Sequence, residues 1–569
     1  MRTQIVIPMS GFGERFRAAG YTMPKPLIEV DGKPMIAHVV DLFPADSDFI
    51  FICNREHLAD PNYRTAQTLR RIAPDCRIEP IDPHRLGPVH AVLQAARLID
   101  PARPVIINYC DFTCYFDYAD FARFVDETAC DGCVPAYRGF HPHSIGSTYY
   151  AYMRHAGLWM TDIREKQPFT DDPMNEFASS GTYWFRNGQL CIEALQEQMR
   201  QQFDVGGEYY VSLAYRVLAQ RGLRTAIYEL QHFMQWGTPA DLRQYQGWSR
   251  AFRRLAGAAD RQARHGGAVL LPMAGLGKRF ADAGYELPKP LVPVSGRPMV
   301  IQAVRDLPSA PVQRFVLRRD LPGASAIERK LRATFVGAEF VMLDHATEGQ
   351  AITCRVGAEG LDPQAPVTVG ACDNGILYDS AAIGAAMENG AADVLVWVVR
   401  GHADGQRRPE MFGWIDEVGD RVAGVRVKQA PPDPASAAMI IGTFTFRRTA
   451  DLVRTIDALV SRSGTVNGEF YLDSVVEDAL SLGLNVQIFE VDAYIGWGTP
   501  DDLKTFEYWQ SCFHKWGSHP YRLQRDPHVP PAAVLALDQR YAARPAPRPS
   551  GVSSLKKTSL ARRLAAACW

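Results

Sequence analysis

Residues 7 to 27 read IPMSGFGERFRAAGYTMPKPL, and residues 271 to 291 read LPMAGLGKRFADAGYELPKPL. Each stretch follows an apolar run with two glycines, an arginine and a lysine clamped between prolines. Gly11 and Gly13, with Gly275 and Gly277 in the second copy, let backbone N–H groups come close to an anion, and a helix beginning near Glu14 would add its positive end. The third glycine of the dinucleotide fingerprint is missing, since Phe16 stands there, and no G-K-[ST] follows, so this is neither a dinucleotide loop nor a Walker loop. Arg15 and Arg279 fall on the first helical turn, where a guanidinium presents a rigid fork of donors suited to phosphate oxygens. The residue before proline is pushed toward extended geometry, so Lys25 and Lys289 sit in stiffened segments as aimed point charges. One such segment could be a plain exposed turn. Two copies in one context predict a polyphosphate site in each.

The rest of the chain repeats as well. With Pro8 set on Pro272, about half the residues are identical through Pro44 and Pro308. CDFT at Cys110 answers CDNG at Cys372, REKQP at Arg164 answers RVKQA at Arg426, and WGTPADL at Trp236 answers WGTPDDL at Trp497. A period of about 260 residues indicates a duplicated domain and not a solenoid. Within each copy, buried-looking strands such as TQIVIPM, DFIFICN and PVIINYC alternate with amphipathic stretches such as HAVLQAARLI, which predicts an α/β fold with a sheet covered on both faces. The expected organisation is a first domain over 1–250, a linker over 251–267, a second domain over 268–517, and a basic Pro/Ala-rich tail over 518–569 read as disordered.

The totals bound what the chain does. Its 569 residues exceed one core, and 47% hydrophobic with 22% charged residues is ordinary for a globular protein. A net charge of -1 argues against nucleic acid as a partner. No apolar run is long enough to span a bilayer, and the N-terminus enters a strand without a signal-peptide pattern, so the cytoplasm is expected. Among the 11 cysteines, Cys110, Cys114, Cys130 and Cys133 have zinc-like spacing. Parallel strands, however, would put Cys110 and the Cys130–Cys133 pair at opposite sheet edges, so reduced thiols are the better reading. The sequence leaves a homo-oligomer open.

PMSGFGERFRAAGYTMPKPLIEVDGKPM and PMAGLGKRFADAGYELPKPLVPVSGRPM resemble the signature of the sugar-phosphate nucleotidylyltransferases, across roughly residues 1 to 250 and 268 to 517. The PKPL wording and the terminal WGTPxDL look like the branch found among capsule and surface-polysaccharide genes. The resemblance implies two tandem Rossmann-like nucleotidyltransferase domains with mainly parallel mixed sheets. It also implies an NTP, a phosphorylated small-molecule acceptor, Mg2+, and attack on the α-phosphorus with release of pyrophosphate. By that resemblance Arg15 and Arg279 would hold the leaving pyrophosphate, Lys25 and Lys289 the α-phosphate, and Asp111 and Asp373 the metal. The family's base-reading stretch corresponds to Gly87 in RLGPVHA and to Gly349 and Gln350 in TEGQAIT, with Pro88 in place of the glutamine in the first copy. The Glu-Lys pair that binds the acceptor corresponds to Glu165 and Lys166, while the second copy has Val427 before Lys428; Gly181 and Gly442 match the glycine at which backbone meets acceptor. The family's second metal-binding Asp is replaced by Gln235 and Gly496, with Asp492 as a weak substitute. Two other readings stand beside this one: a degenerate unit that regulates an active one, and a glycosyltransferase on a similar fold. The latter usually carries a D-x-D motif that NYCDFT and GACDNG do not supply.

Overall fold

The computed structural model describes residues 2–146, 148–257, 262–388, 392–419 and 421–542. These fall into two compact units, one reaching Tyr245 and the other running from Gln246 to Ala542.

In the first unit, beside the edge strand Arg77–Ile81, the apolar runs Gln4–Met9, Asp48–Asn54 and Val105–Asn108 are parallel neighbours. Their lack of polar alternation reflects cover on both faces: Ile5 and Ile7 enter one apolar cluster with Phe51 and Phe124, and Val6 enters another with Ile50 and Val92. Thr182–Phe185 then inserts antiparallel between Val105–Asn108 and Gly132–Tyr137, with Thr182 opposite Asn108 and Trp184 opposite Cys133. Gly132–Tyr137 pairs in parallel with Thr225–Glu229, and the hairpin of Ala151–Ala156 and Trp159–Glu165 extends the sheet.

The second unit has the same order. Ala268–Pro272, Val312–Arg318, Ala338–Leu343 and Val367–Val369 are parallel. Ala438–Phe446 inserts antiparallel, Val394–Val399 pairs in parallel with Val486–Glu490, and Gly413–Val418 forms a hairpin with Arg421–Val427. The fold is α/β with mixed sheets, and its antiparallel share is larger than the alternation of apolar runs suggested. TYWF is buried throughout, as a central parallel strand would be, so its direction left no mark in the sequence.

A two-stranded clip in each unit positions the site. Phe112–Cys114 pairs with Phe233–Gln235, and Asn374–Leu377 with Ala493–Gly496. The Trp236 N–H donates to the Asp111 carbonyl at 2.9 Å, and the Trp497 N–H to the Asp373 carbonyl at 2.9 Å. The WGTP turn is thereby fastened beside the acid that ends the central strand.

The expected boundaries need correction. The division falls inside helix Pro239–Gly257, so the segment read as a linker from 251 begins as helix. Residues 262–267 belong to the second unit: Ala263 is buried in its core, and the His265 N–H donates to the Ser309 carbonyl at 3.1 Å. The tail read from 518 onward is folded as far as Ala542. Tyr521, Leu523, Val529, Leu537 and Tyr541 are buried, and Gln510 Nε2 donates to the Tyr521 hydroxyl at 2.9 Å. His528 Nε2 meets Asp306 Oδ1 at 2.9 Å; burial works against the imidazolium, but the carboxylate outweighs it and holds the pKa near 9. The remainder of the expected tail, 543–569, lies outside the described residues. Each cysteine among the described residues is free, and no group of three or more His, Cys, Asp or Glu among them is gathered to hold a metal. No helix among them is long and apolar enough to cross a membrane.

Ending the chain at Gly517 removes five buried anchors, each contributing about 1.5–3 kcal/mol. The second unit is expected to melt at least about 10 °C lower than in a chain ending at Ala542, as measured by calorimetry. The His528–Asp306 contribution is complete below the imidazole's ordinary pKa of 6.5. It is lost as pH rises through about 9, so the difference between the two chains narrows there.

Candidate functional site

The glycine loop is a helix entrance. Gly13 at φ 63° and Gly277 at φ 64° are the left-handed residues immediately before the short helices Glu14–Ala18 and Lys278–Asp282. The left-handed backbone explains glycine at both places, and at Gly277 so does proximity, since a Cβ there would lie 2.9 Å from Lys289 Cβ. Nothing lies within 4 Å of the space beside Gly11 or Gly275, which leaves that stretch of backbone open. Arg15 and Arg279 are exposed on the helices that follow.

The lysines are held more tightly than extended geometry would require. Lys25–Leu27 and Lys289–Leu291 are single 3-10 turns, closed by Leu27 N–H to Pro24 carbonyl and Leu291 N–H to Pro288 carbonyl bonds, each 2.8 Å. The expected extended segment is thus a tight turn that aims the side chain inward. Lys25 Nζ donates to Asp111 Oδ2 at 2.6 Å and to the Gly237 carbonyl at 3.1 Å. Lys289 Nζ donates to Asp373 Oδ2 at 2.5 Å and to the Gly498 carbonyl at 2.9 Å. Both ammonium groups lie 5.6 Å from the ring of the phenylalanine that follows the arginine, Phe16 or Phe280. Burial opposes the charge of Lys289, but the Asp373 carboxylate prevails and raises its pKa.

In the second unit a cleft of about 410 Å³ gathers Arg279, Lys289, Gln350, Asp373, Lys428 and Gly442 on one wall system. Six residues that the sequence motifs did not mark also line it: His402, Asp404, Arg408, Asp473, Tyr494 and Asp502. A Cβ on Gly498 would lie 3.4 Å from Asp373 Oδ2 and 3.7 Å from Asp502 Oδ2, so two carboxylates flank this glycine. Asp502 also serves the following helix, sharing a capping box with Thr499. Asp492 is not part of the cleft; it pairs with Arg254 at 2.8 Å. In the first unit Gln235 Nε2 donates to Asp241 Oδ2 at 2.8 Å, occupying the acid at Asp502's place, whereas Gly496 leaves Asp502 uncovered. One or two carboxylates, completed by nucleotide phosphates and water, suit Mg2+, and both units fit that description.

The glycines expected to read the base have a further reason to be glycine. A Cβ on Gly87 would lie 2.7 Å from the Tyr209 backbone nitrogen, and one on Gly349 would lie 2.5 Å from the Phe470 carbonyl oxygen. Pro88 begins helix Pro88–Gln94, where its missing N–H leaves no intrahelical bond unmade. Gln350 begins Gln350–Gly357 and faces the cleft.

On the acceptor side, Lys166 and Lys428 both adopt left-handed backbone, at φ 58° and 57°, a strained conformation kept at one position in both units. Lys166 Nζ donates to the Tyr210 hydroxyl at 2.5 Å, and Lys428 Nζ donates to the Met411 carbonyl. Glu165 Oε2 accepts from Ser212 Oγ at 2.5 Å, and burial raises its carboxyl to about 7. Gly181 at φ 90° immediately precedes the inserted strand Thr182–Phe185, and Gly442 at φ 74° lies within Ala438–Phe446.

Residues 5–167 match the family described as the MobA-like NTP transferase domain. The chain is 27% identical over 231 residues to the bifunctional protein GlmU of Rhodopseudomonas palustris, covering 40% of this chain and 48% of that protein. It is 35% identical over 107 residues to GlmU of Burkholderia mallei, covering 19% and 22%. The chain thus spans about half the length, or less, of these curated relatives. Among solved structures, a nucleoside-diphosphate-sugar pyrophosphorylase from Vibrio cholerae aligns at 24% identity, covering 42% of this chain and 99% of that one, with a TM-score of 0.35. A UDP-glucose pyrophosphorylase complexed with UDP-glucose aligns at 20%, covering 43% and 97%, with a TM-score of 0.35. Residues 5–167 are thus similar to an NTP transferase domain, and the curated relatives that the chain matches are GlmU proteins.

The raised Glu165 carboxyl sets a pH dependence. Its folded pKa lies above the ordinary 4.5, so protonation favours the folded state, and stability falls as pH rises from about 4.5 to about 7. The first unit of the unaltered chain is expected to lose a few degrees of melting temperature across that range relative to Glu165→Gln. Parallel melting curves of the two proteins would contradict this.

Proposed function

We propose that each unit transfers a nucleotidyl group from an NTP to a phosphorylated acceptor. An acceptor phosphate oxygen attacks the α-phosphorus, the bond from that phosphorus to the bridging oxygen breaks, and pyrophosphate leaves. One observation carries the reading. In both units a lysine from a proline-clamped turn is pinned between the strand-end acid and the carbonyl of the GTP turn, beside a glycine loop with an exposed arginine. Phosphoryl-type transfer requires alignment and charge compensation more than covalent help, and this arrangement supplies both.

In this reading Lys25 and Lys289 take the α-phosphate, exchanging the carboxylate for a phosphate oxygen. Arg15 and Arg279 take the departing pyrophosphate with a bidentate fork. Asp111 and Asp373, the latter with Asp502 beside it, would hold Mg2+, which supplies charge neutralisation on the phosphates. Lys166 and Lys428 face the acceptor's phosphate, and Gly181 and Gly442 let backbone approach it. The product is an NDP-activated building block, and the PKPL and WGTPxDL wording supports a destination in surface-polysaccharide synthesis. A second reading, in which the first unit binds nucleotide and regulates the other, is favoured by Pro88 where Gln350 reads the cleft. Separate NTP titrations of Lys25→Ala and Lys289→Ala distinguish the two.

Each lysine substitution is expected to lower its own unit's turnover on the order of 10²-fold or more, as removal of one transition-state donor does. The Lys25→Ala/Lys289→Ala chain should release no pyrophosphate above background with any of the four NTPs and a panel of sugar phosphates. Undiminished release would end the proposal.

A further inference from the structure

The carboxylate missing at Val427 has a counterpart in the same cleft, on a different element. The hairpin places Ala151 opposite Glu165 in the first unit and Gly413 opposite Val427 in the second. In the first unit Glu165 is hydrogen-bonded to Ser212, which lies in the 3-10 turn Val211–Leu213. The corresponding turn, Leu472–Ser474, carries Asp473 at Ser212's place. Three positions therefore differ together: Ala151, Glu165 and Ser212 become Gly413, Val427 and Asp473.

The exchange is sterically coupled. A Cβ on Gly413 would lie 2.3 Å from Asp473 Oδ2 and 2.9 Å from its Cγ, so the alanine of the first unit would collide with this carboxylate. Val427 is buried and offers only apolar surface. Asp473 lines the cleft with Lys428, Tyr471 and Gly442, and no described residue donates a hydrogen bond to its carboxylate. Burial raises its carboxyl to about 6, against the pull of Lys428. The side chain is half-buried and lines the cleft, where the hydroxyls of a ligand can supply the missing donors.

We propose that Asp473 is the acceptor-binding carboxylate of the second unit, accepting hydroxyl hydrogen bonds from a polyhydroxylated phosphate. This rests on the nucleotidyl-transfer reading. The side chain is one methylene shorter than Glu165 and approaches from the 3-10 turn and not from the hairpin. The two units therefore take acceptors of one chemical class but grip different hydroxyls.

The test uses the full chain carrying Lys25→Ala, which silences the first unit. Pyrophosphate release is measured with each NTP against glucose 1-phosphate, mannose 1-phosphate and inositol 1-phosphate. For the acceptor that reacts, Asp473→Asn is expected to raise KM about tenfold or more while leaving the NTP KM within about twofold, since one charged hydrogen-bond acceptor is lost. The rise in acceptor affinity as pH increases through about 6 should vanish with it. Adding Val427→Glu to Asp473→Ser, which restores the first unit's pair, should recover part of the loss. An unchanged acceptor KM in Asp473→Asn would overturn the assignment. If the Lys25→Ala chain itself releases no pyrophosphate in any combination, the transfer reading fails for this unit, and the role of Asp473 fails with it.

Discussion

Everything in each unit converges on one ion pair, Lys25 with Asp111 or Lys289 with Asp373. A polyphosphate site needs positive charge waiting at a fixed point, yet a lysine left free would pay about 1.5–2 kcal/mol of side-chain entropy on being fixed. The pair removes that freedom beforehand. It joins three segments far apart in sequence: the PKP turn, the end of a central strand, and the WGTP turn, whose carbonyl takes a second ammonium proton. Both partners are partly exposed, so the pair contributes little to stability. Its effect is to aim the lysine. The clip strands and the parallel core are what keep the three segments within reach of one another.

The parts legible in the sequence are those written in local, repeated patterns. The glycine loop, the arginine, the clamped lysine and the strand-end acid each follow from short motifs that occur twice, and the structure brings Arg279, Lys289, Gln350, Asp373, Lys428 and Gly442 to one cleft. What was hidden is what depends on distant packing. Asp502 passed unmarked because its place in the first helical turn is explained by capping, and only the folded chain brings it to the cleft. Asp473 was invisible because its carboxylate had moved to another element, while a motif comparison registers only the loss at Val427. Residues 518–542 looked like a Pro/Ala-rich tail because their buried anchors, from Tyr521 to Tyr541, come singly and without period. The direction of Thr182–Phe185 left no sequence signal, since a fully buried central strand looks the same either way.

The two units keep one lysine–aspartate centre and differ around it. Pro88 stands for Gln350 on the base side, Gln235 covers Asp241 where Gly496 exposes Asp502, and Glu165 stands where Val427 does. A few exchanged hydrogen-bonding groups are enough to change what a pocket accepts, because a buried polar group left unpaired is penalised. The two units therefore have like charged centres and unlike walls around them.

The most direct test of the shared device is the number of nucleotides that one chain binds. Equilibrium dialysis of the full-length protein with saturating NTP and Mg2+ should give two nucleotides per chain at saturation, one on each lysine–aspartate centre. A plateau at one, or no binding with any of the four NTPs, would contradict the account.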